Sequence, residues 1–360
     1  MKKTASNRVL IISPSYYGID SSIAKAFEKN GYESSLVNYK VNASLPEKII
    51  RKAMTLSPSA NRALHPYLRV LLSKENKRYI ALAEKHCPSF IFIIKGESVF
   101  PKTLNYIKDN LIIPCISYQW DDPFYTNNNG SGLDDFRRNN FRLGMKNYDQ
   151  IFAFDNYYVD EIRKRGISNV SYLPLATDED LYINTPLTED EKRMYGYDIC
   201  FVGMPFINRI ETFNELSEFN VGVFGDFWDM HRNKLKGDYF KGPAAGNKVL
   251  KIYSASKIVM NINHPHSVYG VNTRTFDIPS CGAFEIMDYK QGIEDLFDVG
   301  NEIVCYHNVR ELKALVRYYL DHPDKRNDIA EKGCLKSRKQ HTWTQRVKKV
   351  ITVLQDNKII

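Results

Sequence analysis

The chain of 360 residues is long for one domain and comfortable for two, each large enough to close its own core. Its 43% hydrophobic and 26% charged residues, with 23 Tyr and 19 Phe, exclude a disordered or low-complexity protein. The formal charge of +8 is spread along the whole chain. It suits a polyanionic partner (nucleotide, nucleic acid, acidic polymer or anionic membrane surface) and equally a plain solvated basic surface.

Cys87, Cys115, Cys200, Cys281, Cys305 and Cys334 never stand at C-x-x-C spacing, and most lie inside apolar runs. Reduced thiols in a cytoplasmic protein are therefore expected, rather than a zinc site or a disulfide framework. Met1-Lys2-Lys3 is followed only by the short apolar run Val9–Ile12, with no small-residue cleavage site, so a first buried strand is expected instead of a signal peptide. No window approaches the roughly 18 apolar residues that span a bilayer. Any membrane contact is expected to be peripheral.

Strands and helices alternate along the first half. Strands are predicted at Arg8–Ser13, Glu33–Asn38, Phe90–Ile94, Ile112–Tyr118, Gln150–Phe154 and Val170–Leu173. A helix is predicted at Ser21–Asn30, and a helical stretch from Pro46 to about His86, broken by Pro58 and Pro66. The hydrophobic pattern lapses between Pro174 and Tyr197, and the rhythm then restarts. Strands are predicted at Tyr197–Val202, Val221–Phe224, Ile258–Ile262, Ala283–Met287 and Glu302–Tyr306, with helices at Val309–Leu320 and Pro323–Gln340. The pattern describes an α/β protein of two doubly wound Rossmann-like domains, residues 1–175 and 197–340, joined by a linker over 176–196. Residues 341–360 form a C-terminal helix expected to pack back on the first domain. Two such domains put the carboxyl ends of both sheets facing across a cleft, where loops bind ligands. Sugar-nucleotide transferases, periplasmic-type binding proteins and some epimerases share this arrangement.

The stretch from Gly270 to Phe284 carries the most chemistry. Gly270 precedes a predicted helix of about ten residues, whose unpaired N–H groups favour a diphosphate. Asn272 and Arg274 in the first turn add a polar donor and a fixed cation. Asp277 offers a carboxylate that can accept from both ribose hydroxyls. The alternative is an ordinary helix start with Arg274 in a surface ion pair.

The pattern Asn272-x-Arg274-x-Phe276-Asp277, followed by Cys281-Gly282-Ala283-Phe284, resembles the signature of the CgeB-like glycosyltransferases, a branch of the GT-B group. The resemblance continues through Ile293–Phe297, Gly300 with Glu302, Tyr318–Pro323, His341-Thr342-Trp343 and Arg346-Val347. Upstream it takes in Asp198–Gly203, Asn208-Arg209, Gly225 and Trp228, and more loosely Ile93–Gly96, Trp120–Pro123 and Tyr172–Asp178. It implies a GT-B fold and a metal-independent enzyme for hexosyl or pentosyl transfer from a nucleotide-diphosphate sugar, with no cofactor required. The first domain would be the acceptor side and the second would bind the donor. Donor-binding residues implied are Gly203, Arg209, Gly270, Asn272, Arg274, Thr275 and Asp277. The first acid of the E-x7-E pair of many retaining relatives is missing, because Tyr269 stands there.

Asp121 and Asp122, at the end of a strand, and Glu97, in another strand-end loop, are candidate general bases toward an acceptor hydroxyl. A turn acid before Pro123 and a structural ion pair are the respective alternatives. The Asp121-Asp122 pair is not the D-x-D of metal-dependent transferases, so no metal is expected. His264 is a candidate donor to phosphate or sugar, near His266, and the polar loop Thr126–Gly132 is a candidate cover for the acceptor. The acceptor is expected to be a cell-envelope or spore-coat glycan or protein. A second reading makes it a hydroxymethylated base in DNA, held by Arg163-Lys164-Arg165, Arg137-Arg138 and the basic tail. A third is a non-catalytic nucleotide-sugar binding protein.

Overall fold

The computed structural model describes residues 7–39, 49, 52–53, 58–125, 132–265 and 267–360. His266 and residues 126–131 of the polar loop lie outside them. The chain divides into two compact units, residues 1–174 with 344–360, and residues 175–343.

The first unit is a six-stranded sheet with β1 (Arg8–Ser13), β2 (Glu33–Asn38), β3 (Phe90–Ile94), β4 (Cys115–Gln119), β5 (Gln150–Ala153) and β6 (Val170–Tyr172). The order is β2-β1-β3-β4-β5-β6, with every pair parallel. The strands β3, β4 and β5 are buried at every position, and β3 is apolar throughout. Helices α1 (Ile19–Lys29), α2 (Pro58–His86), α3 (Pro101–Tyr106), α4 (Gly132–Gly144) and α5 (Asn156–Arg163) connect them. Two predicted breaks behave differently: α2 starts at Pro58, a position proline tolerates, and runs through Pro66 without stopping. Pro66 is exposed, so the carbonyl it leaves unpaired can be hydrated.

The second unit is a five-stranded parallel sheet of β7 (Ile199–Val202), β8 (Val221–Phe224), β9 (Ile258–Asn261), β10 (Glu285–Asp288) and β11 (Val304–Tyr306), ordered β11-β10-β9-β7-β8. Its helices are α6 (Glu189–Tyr195), α7 (Ile207–Asn214), α8 (Asn247–Ala255), α9 (Arg274–Ser280), α10 (Val309–Asp321) and α11 (Pro323–Gln340). One core face gathers Phe201, Phe213, Trp228, Met260, Phe284 and Tyr319, and the other gathers Cys200, Leu250, Tyr253 and Ile278. The polar stretch 176–196, offered by the sequence as a linker, packs inside this unit. There Tyr182 lies against the second core face, and Thr188 with Glu191 forms a reciprocal cap that starts α6.

The chain enters and leaves the second unit side by side. Thr177 N–H donates to the His341 carbonyl at 3.0 Å, and Trp343 N–H donates to the Thr177 carbonyl at 3.0 Å. Helix α12 (Trp343–Asp356) then packs within the first unit, where Val350 and Leu354 are buried and Arg346 Nε donates to the Pro174 carbonyl at 3.0 Å.

Candidate functional site

In each sheet the chain runs outward from one strand, then returns to the other side of it. In the second unit this reversal lies between β7 and β9, so the loops at their carboxyl ends splay apart. The β7 loop begins at Gly203, whose N–H donates to the Phe224 carbonyl at 2.9 Å and whose carbonyl accepts Trp228 Nε1 at 2.7 Å. Gly225 backs onto it: a Cβ there would stand 2.3 Å from the Gly203 oxygen, and its φ of +134° is open mainly to glycine. Two glycines let the ends of β7 and β8 close up, leaving the Gly203 surface bare.

Arg274 lies over that surface. A Cβ on Gly203 would come 3.3 Å from Arg274 Nη1, and the guanidinium is 5.6 Å from the centre of the Phe201 ring. Its Nε donates to Asn261 Oδ1 at 3.1 Å and one Nη to the Ile262 carbonyl at 3.4 Å. Nη1 makes no hydrogen bond among the described residues, and the side chain is only partly buried.

Below the arginine is a connected set of amides, of which Asn261 and Asn263 are buried and Asn272 partly so. Asn272 Nδ2 donates to Asn261 Oδ1 and to Asn263 Oδ1, each at 2.8 Å. Asn263 donates from Nδ2 and from its backbone N–H to Asp288 Oδ1, at 3.0 and 2.7 Å. Asn261 Nδ2 donates to Thr275 Oγ1 at 3.1 Å and to Glu285 Oε1 at 2.8 Å. Burial pushes the Glu285 carboxyl well above the ordinary range, and its other oxygen is buried without a partner among the described residues.

The helix after Gly270 differs from expectation. It is α9, seven residues starting at Arg274, and Asn272 precedes it instead of lying in its first turn. Asn272 Oδ1 accepts the Arg274 N–H at 2.9 Å, and its carbonyl accepts that of Thr275 at 3.3 Å. Phe276 and Asp277 N–H both donate to the Thr273 carbonyl. The early N–H groups of α9 are thus paired within the chain.

Asp277 is buried, and burial pushes its carboxyl from 3.8 up to about 8, with the neighbouring Asp178 adding to the rise. The Thr177 and Thr273 hydroxyls and Arg274 work in the opposite direction. Asp277 in turn raises the Tyr182 phenol.

Other candidates are placed as follows. Thr275 is fully buried, its hydroxyl beneath the site in contact with Asn261. Arg209 is 3% exposed, with Nε and one Nη on the Ile262 carbonyl and the other on the Met204 carbonyl, so it ties the β7 loop to the end of β9. His264 stands edge-on to Phe206 at 4.4 Å. Gly270 is buried beside Gly292, whose N–H holds the Tyr269 carbonyl at 3.1 Å.

In the first unit, Asp121 at the end of β4 pairs with Lys95 at the end of β3, and its side chain remains 57% exposed. Burial works against the Lys95 charge, but Asp121 and Glu97 outweigh it and the amine's pKa is raised. Asp122 accepts the Phe124 N–H at 2.8 Å and bonds the Tyr158 hydroxyl, the role of a turn acid. Glu97 is 8% exposed in a loop held by Asn140 Nδ2 on its carbonyl at 2.8 Å. Of the basic run, Arg163 faces Asp160 at 3.6 Å, while Lys164 and Arg165 face Glu161 at 2.8 and 2.9 Å. No helix among the described residues is long and apolar enough to cross a membrane.

Asn261, Asn263, Glu285, Asp288 and Thr177 were not singled out in the sequence. The available signal was a polar side chain inside an apolar strand run, as in Met260-Asn261-Ile262-Asn263 and Phe284-Glu285-Ile286.

The two parallel, doubly wound units have a GT-B-like fold. Residues 207–352 match the glycosyl transferase-like family, and the chain is CgeB-like in sequence. It is 23% identical to the spore protein CgeB of Bacillus subtilis over 279 residues, 72% of this chain and 81% of that one. Sucrose-phosphate synthase of Thermosynechococcus elongatus superimposes with a TM-score of 0.69 at 10% identity, covering 97% of this chain and 98% of that one. HepE of Anabaena, solved in complex with UDP-glucose, does so with a TM-score of 0.64 at 11% identity, covering 97% and 99%.

Proposed function

We propose that the protein transfers a sugar from a nucleotide-sugar donor to an acceptor hydroxyl, and that the second unit binds the donor. The observation carrying this reading is Arg274: a cation over the bare Gly203 backbone at the β7/β9 switch point, with Nη1 unpaired among the described residues. A guanidinium held there meets the diphosphate and stabilises the charge that develops on the leaving nucleotide, with no metal required. Asn272 supports the arginine, and Asp277 sits one helical turn on, as the acid for the ribose hydroxyls. The structure of HepE with UDP-glucose and the glycosyl transferase-like match over 207–352 support a nucleotide-sugar donor.

On the acceptor side, Asp121 is the general base we favour, because it is the most accessible of the three acids and it pairs with Lys95. The acceptor we favour is a cell-envelope or spore-coat glycan or protein, the B. subtilis relative being a spore protein. The DNA reading has less support, because the Arg163–Arg165 run is paired with acids of its own helix. The test is donor hydrolysis and transfer across a panel of nucleotide sugars. Turnover of a donor in the wild type, lost in Arg274→Ala, is expected. Binding without turnover of any donor would favour a non-catalytic binding protein. Retention on DNA that disappears near ~200 mM salt would favour the DNA reading.

A further inference from the structure

Asn261 is fully buried at the carboxyl end of β9, and its amide makes four hydrogen bonds, three to residues 272–275 and one to Glu285 on β10. The orientation of that amide is dictated by its neighbours. Arg274 Nε can only donate, so the atom at 3.1 Å from it must be Asn261 Oδ1. The same oxygen accepts from Asn272 Nδ2 at 2.8 Å. Nδ2 must then face Thr275 Oγ1 and Glu285 Oε1, both as acceptors. The Thr275 hydroxyl proton is directed to Met287 Sδ, 3.9 Å away, which completes a consistent proton arrangement. Turning the amide over would set Nδ2 against the donors of Arg274 and Asn272, and Oδ1 against the acceptor oxygens of Thr275 and Glu285.

A single amide therefore holds the arginine stem by Nε while leaving Nη1 open, and holds the Asn272 side chain that caps the Arg274 N–H. Glu285 holds the amide from behind, on the neighbouring strand β10. An arginine left to its own rotamers would lose conformational freedom on meeting an anion, whereas one fixed beforehand loses little.

We propose that Asn261, backed by Glu285, is a positioning residue that pre-sets the Arg274 guanidinium for the donor diphosphate. The inference rests on the donor reading of Arg274 but makes its own claim, namely that the arginine is ordered before any ligand arrives. Glu285 holds the amide as a hydrogen-bond acceptor through Oε1, so an isosteric amide that keeps this oxygen should replace it, and an aliphatic side chain should not.

The experiment measures nucleoside diphosphate affinity by calorimetry for wild type, Asn261→Ala, Arg274→Ala and the double variant, with UDP, GDP, CDP, ADP and dTDP as probes. The Arg274 Nε–H NMR signal is followed in the ligand-free proteins alongside. Asn261→Ala is expected to weaken binding about tenfold, the scale of one hydrogen bond to a charged group, and to add nothing once Arg274 is already alanine. The Nε–H signal, protected in the wild type, is expected to be lost in Asn261→Ala without ligand. Glu285→Gln should bind within about twofold of wild type and Glu285→Leu should follow Asn261→Ala. If Asn261→Ala does not fold, Asn261→Ser, which cannot span from Arg274 to Glu285, takes its place. Equal losses from the Asn261 change with and without Arg274, or a retained Nε–H signal, overturn the positioning role. Wild-type affinity in Arg274→Ala overturns the donor reading instead, and leaves the NMR result to decide whether Asn261 orders the arginine.

Discussion

Arg274 Nη1 and Gly203 are matched so closely that a methyl group on the glycine would stand 3.3 Å from the nitrogen. The same methyl would lie 2.8 Å from the Phe201 ring. Gly203→Ala is therefore expected to displace the guanidinium as well as crowd the core, destabilising the protein by about 1–3 kcal/mol. Nucleotide affinity should fall by about tenfold or more, beyond any loss of folded protein. Calorimetric titration at a temperature where the variant is fully folded separates the two effects.

Trp228 supports this surface from beneath, through its 2.7 Å hydrogen bond to the Gly203 carbonyl. Trp228→Phe keeps most of the buried ring and removes the donor. A loss of about 1–3 kcal/mol in urea unfolding is expected, because the Gly203 oxygen is left without its indole partner. A weaker nucleotide affinity should accompany it.

The Asp277 carboxyl, pushed from 3.8 up to about 8, makes stability depend on pH. Between these values the folded state holds a proton that the unfolded chain has released. Stability should therefore fall as pH rises through this window and level off above the folded value. The slope from one such group approaches about 1.4 kcal/mol per pH unit. Asp277→Asn, which keeps the shape and cannot ionise, should remove that share of the slope. Urea unfolding from pH 5 to 9 on both proteins measures it, and parallel curves would contradict the assignment.

Much of the fold was legible because its strands are buried on both faces. Phe90–Ile94 and Val221–Phe224 are apolar at nearly every position, and their bounds agree with the structure residue for residue. The start of α9 was not legible. Its N-terminal signal was Gly270 followed by polar residues, whereas the Asn272 side chain bonds the backbone two residues on and delays the helix to Arg274. Pro66 misled for a similar reason, since an exposed proline in a long helix leaves only one carbonyl to water. Arg274 was visible as a cation in a motif, but its holders Asn261 and Glu285 are 13 and 11 residues away and meet it only after β9 and β10 pair. No local pattern encodes such a meeting. Arg209, implied as a donor-binding residue, has its nitrogens on the Ile262 and Met204 carbonyls, contacts that no local pattern encodes either.

Asp121, the most exposed of the three candidate acids, should behave differently from its neighbours. Asp121→Asn is expected to lower the rate of transfer by about 10²-fold or more while leaving nucleotide affinity unchanged. Asp122→Asn should act mainly on stability, through Phe124 and Tyr158. Steady-state transfer assays beside thermal unfolding distinguish these outcomes. An Asp121→Asn enzyme with full turnover would remove it as the base.

The most direct measurement is a calorimetric titration of wild type and Arg274→Ala with the nucleoside diphosphates UDP, GDP, CDP, ADP and dTDP. At least one should bind the wild type and lose about tenfold or more in affinity in the variant, at a temperature where both proteins are fully folded. Equal affinities in the two folded proteins would contradict the assignment of this arginine to the donor diphosphate.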